Sequence, residues 1–121
     1  MSSVPAGWPQ QVPPPGSPDW ERKATNWLFD FCPGDYRSYD VLRRHPQVLA
    51  RMAKVQVEAS IAAARDGWAA ARVEWRGLEP ATRDAVIAMY EKEGARLSAV
   101  LREVTLVERA LSDAPATDWE A

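Results

Sequence analysis

The sequence predicts an all-α protein: a long antiparallel helical hairpin, a short N-terminal helix packed on it as a three-helix bundle, and a proline-rich extended N-terminal strap. Apolar residues recur at steps of three and four along two long segments, as in coiled-coil helices. Only Gly77–Glu79 separate these segments, so the two helices must run antiparallel. Five prolines between Pro5 and Pro15 exclude a helix there. We therefore expect an extended segment 1–17, a helical bundle 18–112 and a flexible tail 113–121.

The strap, residues 1–17, has a composition that favours polyproline II geometry without internal hydrogen bonds. Trp8 lies within it, and a tryptophan left in water forfeits the free energy of its burial. No basic residue precedes Arg22, although proline-rich ligands usually carry one. We expect the strap to cover the protein's own core; a partner-binding arm and plain disorder are the alternatives.

The first helix is expected from about Pro18 to Phe31, with Ser17 as its cap and Pro33 just beyond its end. Steps of four and three place on one face of this helix Trp20, Ala24, Trp27 and Phe31. We expect this aromatic face to pack against Trp68 and Trp75 of the second helix, because alanines between those two rings leave room for it.

The two arms of the hairpin are expected from Pro46 to about Arg76 and from Pro80 to about Ser112. The main seam of the second helix comprises Val57, Ile61, Ala64, Trp68, Ala71 and Trp75. Its second seam comprises Val48, Met52, Val55, Ala59, Ala62, Ala69 and Val73. The third helix has the seam Val86, Tyr90, Glu93, Leu97, Val100, Val104, Val107 and Leu111. Two seams on one helix predict two neighbours.

Charge, cysteine content and the lack of long apolar segments limit the classes of function that we expect for this protein. A net charge of −2 over 121 residues gives the whole molecule no general affinity for nucleic acid or anionic membranes. The single Cys32 cannot form an internal disulfide, which favours a reducing, cytoplasmic location. No segment is apolar enough to span a bilayer or to serve as a secretory signal, so we expect no membrane partner.

The densest polar segment connects the first two helices, and we treat it as a candidate polar connector site. Its members are Asp35, Tyr36, Arg37, Tyr39, Arg43, Arg44 and His45. Cys32 with His45 is the only thiol–base pair that the chain offers, and a third group at a recognised spacing is missing. Aspartates and His45 recur here at steps of five, which fits neither a helical face nor a known metal-binding loop. We expect a connector held by aspartate–arginine pairs and tyrosine hydrogen bonds, with no catalytic residue, cofactor or metal.

Basic residues are concentrated on the second helix: residues 43–76 hold seven basic and three acidic side chains. A candidate anion-facing stripe on its heptad positions comprises Arg51, Arg65 and Arg72. These arginines can follow nucleic-acid phosphates. Alternatively, they can pair with acidic residues of the third helix, namely Glu91, Glu103 and Glu108.

Apolar residues off the best seams predict a candidate partner interface. They are Leu49, Ile87, Leu101 and Leu106. An exposed apolar patch of this kind is typical of a protein interface, and two paired hairpins would complete a four-helix bundle. Burial under the first helix and the strap is the alternative.

Two segments, "DWERKATNWLFDFCPGDYR" and "YDVLRRHPQVLA", resemble small helical proteins of high-GC actinobacteria that have no known activity. The arginine-rich, lysine-poor composition fits that origin. The resemblance extends in general pattern over most of residues 7–111. It implies a bacterial, soluble, helical protein and assigns no residue a role.

Our hypothesis from the sequence is a non-catalytic scaffold or accessory protein that binds another protein or a second copy of itself, as a homodimer. The first alternative is a nucleic-acid-associated protein that uses the basic face of the second helix. The second is a small-ligand binder or enzyme centred on the Asp35–His45 connector.

Overall fold

The computed structural model describes residues 4–113 and is helical, with no strand among those residues. Its elements are α1 (Trp20–Phe29), a 3-10 helix (Gly34–Ser38), α2 (Asp40–Arg44), α3 (Pro46–Val73) and α4 (Pro80–Asp113). Helices α3 and α4 pack closely as a hairpin, and α1 packs on α3, which confirms the predicted fold class. The predicted tail, including Trp119, lies outside the described residues apart from Asp113.

The chain forms two compact units. The first unit contains the residues up to Gln56 together with those from Arg102 onward, so it holds the strap, α1, α2, the start of α3 and the end of α4. The second unit is Val57–Leu101, the remainder of the two hairpin arms and the turn between them.

The strap forms a series of tight turns, so the prediction of polyproline II geometry without internal hydrogen bonds is wrong. The backbone amides of Trp8, Val12 and Ser17 donate to the carbonyl oxygens three residues earlier, at 3.1, 3.3 and 3.1 Å. Gly7 and Gly16 occupy the third turn position with φ of 83° and 88°, a left-handed conformation that costs glycine little. The turns at these two glycines reverse the direction of the chain, whereas a polyproline II segment would continue in one direction.

The strap packs against the first unit's own core, which confirms the strap as part of the fold. Val12 is only 3% exposed. Trp8 donates from Nε1 to the Val12 carbonyl oxygen at 2.9 Å, and its ring centroid lies 6.2 Å from that of Trp20. A Cβ built on Gly7 would lie 3.6 Å from Cδ1 of Leu106, so the strap also lies against α4.

Helix α1 is shorter than predicted at both ends. Asp19 has φ 63° and ψ 10°, and the Trp20 amide donates to the Ser17 carbonyl oxygen at 3.2 Å. Ser17 and Pro18 therefore belong to a turn, and the helix begins at Trp20 because a left-handed residue interrupts the helical backbone. After Phe29, successive amides donate to carbonyls three residues back, which tightens and ends the helix.

The core of the first unit is formed by residues of α1, α3 and α4. Buried there are Ala24, Trp27, Leu28 and Phe29 of α1, Leu49, Ala50 and Ala53 of α3, and Val104, Val107 and Leu111 of α4. Trp68 and Trp75, on which the α1 rings are predicted to pack, belong to the second unit, and that packing stays a prediction. Trp27 packs edge-on against Phe31, with ring centroids 4.9 Å apart.

The second unit has a thin core of mostly small side chains. Its buried hydrophobic residues are Val57, Ala64, Ala71, Leu97 and Val100. Helix α3 ends at Val73, three residues before the predicted end, and leaves Trp75 exposed beyond it.

The second seam of α3 lies largely in solvent. Its exposed members are Val48, Val55, Ala59, Ala62, Ala69 and Val73. The prediction that this seam has a neighbour is therefore wrong for the described part of the chain: α3 is buried only along the seam that faces its own hairpin partner and α1.

Candidate functional site

The second unit carries an open groove of about 410 Å³ between α3 and α4. Ile61, Trp68 and Tyr90 provide its large side chains. Small residues line the space between them, namely Ala64, Gly94, Ala95 and Ser98. Arg65 and Glu91 add one charge of each sign. Two helices alone cannot enclose side chains as large as tryptophan and tyrosine, so these rings remain half-exposed.

Trp68 is held in place by contacts on both helices. Its Nε1 donates a hydrogen bond of 3.2 Å to Oε2 of Glu91, which lies on α4. The guanidinium carbon of Arg72, one turn further along α3, lies 4.6 Å from the Trp68 ring centroid, a cation–π distance. The indole is therefore positioned before anything binds.

Tyr90 lies directly against the backbone of Gly67. A Cβ built on Gly67 would lie 2.6 Å from Oη of Tyr90 and closer still to two ring carbons. From sequence, Gly67 is only a weak point in a helix. The structure shows that this glycine makes room for the ring across the hairpin.

The four residues of the candidate partner interface lie in different surroundings. Leu49 is 0% exposed in the core of the first unit, so its assignment to an open interface is wrong and the alternative of burial applies to it. Leu106 is half-buried and lies beside the strap at Gly7. Ile87 and Leu101 are half-exposed residues of the second unit. These two are the members of the predicted interface that belong to the second unit.

The groove does not coincide with any of the sites predicted from the sequence. The spacing of Trp68 and Tyr90 matches core positions and therefore predicts that both rings are buried in seams. A signal was present: three small residues, Gly94, Ala95 and Ser98, fall within five positions of α4, opposite a tryptophan on α3. Such a combination indicates a helix surface that carries only small side chains and leaves space beside the tryptophan.

The members of the predicted arginine stripe have distinct contacts. In the first unit, Arg51 pairs with Glu108 at 2.9 Å, and Lys54 approaches the same carboxylate at 3.7 Å. This confirms the predicted pairing across the hairpin for Arg51. In the second unit, Arg72 stacks on Trp68 and Arg65 lines the groove.

The connector is organised by arginines. Arg37 pairs with Asp30 at 2.6 Å, and Arg43 donates a hydrogen bond to the carbonyl oxygen of Arg37. The guanidinium carbons of Arg37 and Arg43 lie 5.3 and 5.2 Å from the ring centroid of the buried Phe29. These two cations therefore brace the end of α1.

The remaining connector residues form local contacts. Arg44 pairs with Asp40 at 3.1 Å, so the predicted aspartate–arginine pairs are confirmed. Tyr36 and Tyr39 contact each other as rings, with centroids 5.7 Å apart. Asp35 accepts a hydrogen bond from Ser38 at its carbonyl oxygen, and the half-exposed His45 closes α2 through its backbone amide.

Burial raises the pKa of the Cys32 thiol, and nearby Arg37 only partly opposes this effect. The thiol approaches the Leu28 carbonyl oxygen at 3.8 Å. A nucleophilic cysteine needs the opposite shift, toward thiolate at neutral pH. Within residues 4–113, no three His, Cys, Asp or Glu side chains are grouped so that they could hold a metal ion.

No helix in the described part of the chain is both long enough and apolar enough to cross a membrane. Comparison with known proteins finds no family model, curated protein or solved structure that matches this chain. The resemblance to actinobacterial helical proteins stays a prediction.

Proposed function

We propose that this protein is a non-catalytic helical scaffold or accessory protein that acts by binding a protein through the groove of its second unit. The observation that carries the proposal is the groove itself: Ile61, Trp68 and Tyr90 are half-exposed and line it together with small residues. A cytoplasmic location, where Cys32 stays reduced, belongs to the same proposal.

The chemistry of the groove favours protein recognition. Tryptophan, tyrosine and arginine are the residues enriched at the energetic centres of protein interfaces, and Trp68, Tyr90 and Arg72 lie together here. Full burial of one large apolar side chain contributes about 1.5–3 kcal/mol. Because Glu91 and Arg72 already hold Trp68, a partner gains this burial with little loss of side-chain entropy.

The test is recovery of partners by tagged full-length protein from its native lysate, with and without nuclease. Trp68→Glu places a charge in the groove. Ala69→Glu is the matched control, because it adds the same charge at the next residue, which is exposed and does not line the groove. We expect a recovered protein, whether another chain or an untagged copy, that is lost with Trp68→Glu and kept with Ala69→Glu in both nuclease conditions.

Other outcomes would contradict the proposal. Recovery that disappears with nuclease would favour the nucleic-acid alternative and its arginines. Equal recovery by Trp68→Glu and wild type would mean that the groove is not the binding site. A measured activity lost in Cys32→Ser or His45→Ala would instead support the connector as an active site.

A further inference from the structure

Building on the proposed function, we propose that the groove is occupied by a second copy of this chain. The α4 helices of the two copies pack antiparallel about a two-fold axis that passes through Gly94. The interface is formed by the second units alone. Three independent features of residues 57–101 lead to this arrangement.

The first feature is the spacing of residues along α4. Ile87, Glu91, Gly94, Ser98 and Leu101 follow one another at steps of four, three, four and three, so they form one line along the helix. Ile87 and Leu101 each lie seven residues from Gly94. When the line is reversed about Gly94, Ile87 of each copy meets Leu101 of the other. The two ends of the line are therefore complementary to each other across the axis.

The second feature is Gly94 itself. It lies in the interior of a 34-residue helix, where glycine is the least favourable residue apart from proline. Gly67 accommodates Tyr90, whereas a Cβ built on Gly94 would meet no atom within 4 Å. Packing within the described chain therefore does not require this glycine. Close approach of another helix backbone does require one, and that approach is closest at the two-fold axis.

The third feature is charge. The groove presents a basic Arg65 from α3 and an acidic Glu91 from α4. Arg65 has no ion pair with any residue between 4 and 113. In a two-fold interface every contact occurs twice with the roles exchanged, so a second copy brings both signs. A uniformly acidic partner helix would be repelled by Glu91, and a uniformly basic one would be repelled by Arg65.

The size of the surface sets the expected affinity. The line from Ile87 to Leu101 is about 21 Å long at ~1.5 Å per residue. An interface of that length and two helix diameters in width covers about 400–500 Å² on each copy, which is below the standard size and typical of weak or transient complexes. We therefore expect dissociation constants in the micromolar range.

Sedimentation equilibrium of the purified full chain, from about 1 to 300 µM, tests the assembly. We expect a monomer–dimer equilibrium that Ala69→Glu leaves unchanged and Leu101→Glu weakens at least tenfold. Gly94→Ala is a second test of the interface, in case Leu101→Glu loses the dimer because it misfolds. It should raise the thermal midpoint of the dilute monomer, because the added methyl meets nothing and favours the helix, and yet weaken the dimer.

Crosslinking tests the register. Ile87→Cys and Leu101→Cys are prepared separately, each in a Cys32→Ser background. The antiparallel arrangement predicts a disulfide-linked dimer only when the two variants are mixed. A linked dimer from either variant alone would show a parallel pairing and overturn the proposed axis.

These outcomes separate this inference from the proposed function. A purified protein that stays monomeric to about 300 µM overturns the second copy as occupant. The binding function still stands if a different protein is recovered from lysate in a Trp68-dependent way. If neither association occurs, both proposals are wrong.

Discussion

Replacing Gly67 with alanine tests how the second unit is packed. Alanine is the better residue for a helix interior, so sequence alone predicts that Gly67→Ala stabilises α3. In the structure the new methyl group would lie 2.6 Å from Oη of Tyr90 and closer to its ring, well inside van der Waals contact. The ring must move by about 1 Å or more before the methyl group fits.

Two opposing magnitudes decide the sign. The helix propensity of alanine contributes about 1 kcal/mol in favour of the substitution. Forcing a side chain out of a packed position costs about 1–3 kcal/mol. We therefore expect Gly67→Ala to lower the free energy of unfolding by ~0–2 kcal/mol. In a Tyr90→Ala background the obstacle is gone, and the same substitution should raise that free energy by about 1 kcal/mol.

The assay is urea unfolding of the four proteins of this cycle, followed by tryptophan fluorescence in dilute solution. Gly94→Ala is the matched control: it lies in the other arm, meets no atom within 4 Å, and should stabilise the monomer by about 1 kcal/mol. The cycle should give a coupling of about 1–3 kcal/mol between positions 67 and 90. If Gly67→Ala stabilises the protein as much as Gly94→Ala in both backgrounds, Tyr90 does not rest on Gly67.

Val12→Ala should lower the free energy of unfolding by about 1–2 kcal/mol, because Val12 is the strap residue that packs into the core and is only 3% exposed. Val4→Ala, at a position 51% exposed, should change it by less than ~0.5 kcal/mol, and equal effects would mean that the strap is loose. Glu108→Gln should cost about 1 kcal/mol, since this half-buried carboxylate serves two basic partners. If urea unfolding shows that Glu108→Gln lowers the free energy of unfolding equally at low and high salt, the effect is not ionic. Iodoacetamide should alkylate Cys32 more slowly than a free cysteine at pH 8, because its raised pKa leaves less thiolate. The rate should rise with pH and reach that of free cysteine in urea; equal rates in the folded protein would indicate an ordinary thiol.

The elements predicted best are those with local signals. Pro46 and Pro80 begin α3 and α4 as expected, since proline suits the first position of a helix. The turns of the strap also had a local signal, because Pro15-Gly16 is the residue pair that a tight turn with a left-handed third position prefers. The number of prolines alone does not determine the backbone conformation of that segment.

The sequence predicts less well which individual side chains are buried. Leu49 and Ile87 both lie off the best seams, and nothing local distinguishes them. Leu49 is fully buried in the unit that also contains α1, whereas Ile87 stays half-exposed in a unit formed by the two hairpin arms. The difference depends on an element distant in the chain.

The sequence by itself determined the helices, their antiparallel order and the tight connection between the long arms, because backbone preferences and apolar periodicity act over a few residues. Only the tertiary structure decided which rings meet: Trp8 with Trp20 and Trp27 with Phe31, while Trp68 stays on the surface of the hairpin. It also decided that Gly67 makes room for Tyr90 and that a groove opens beside them. These outcomes depend on the shapes and volumes of side chains far apart in the chain, which no local pattern records.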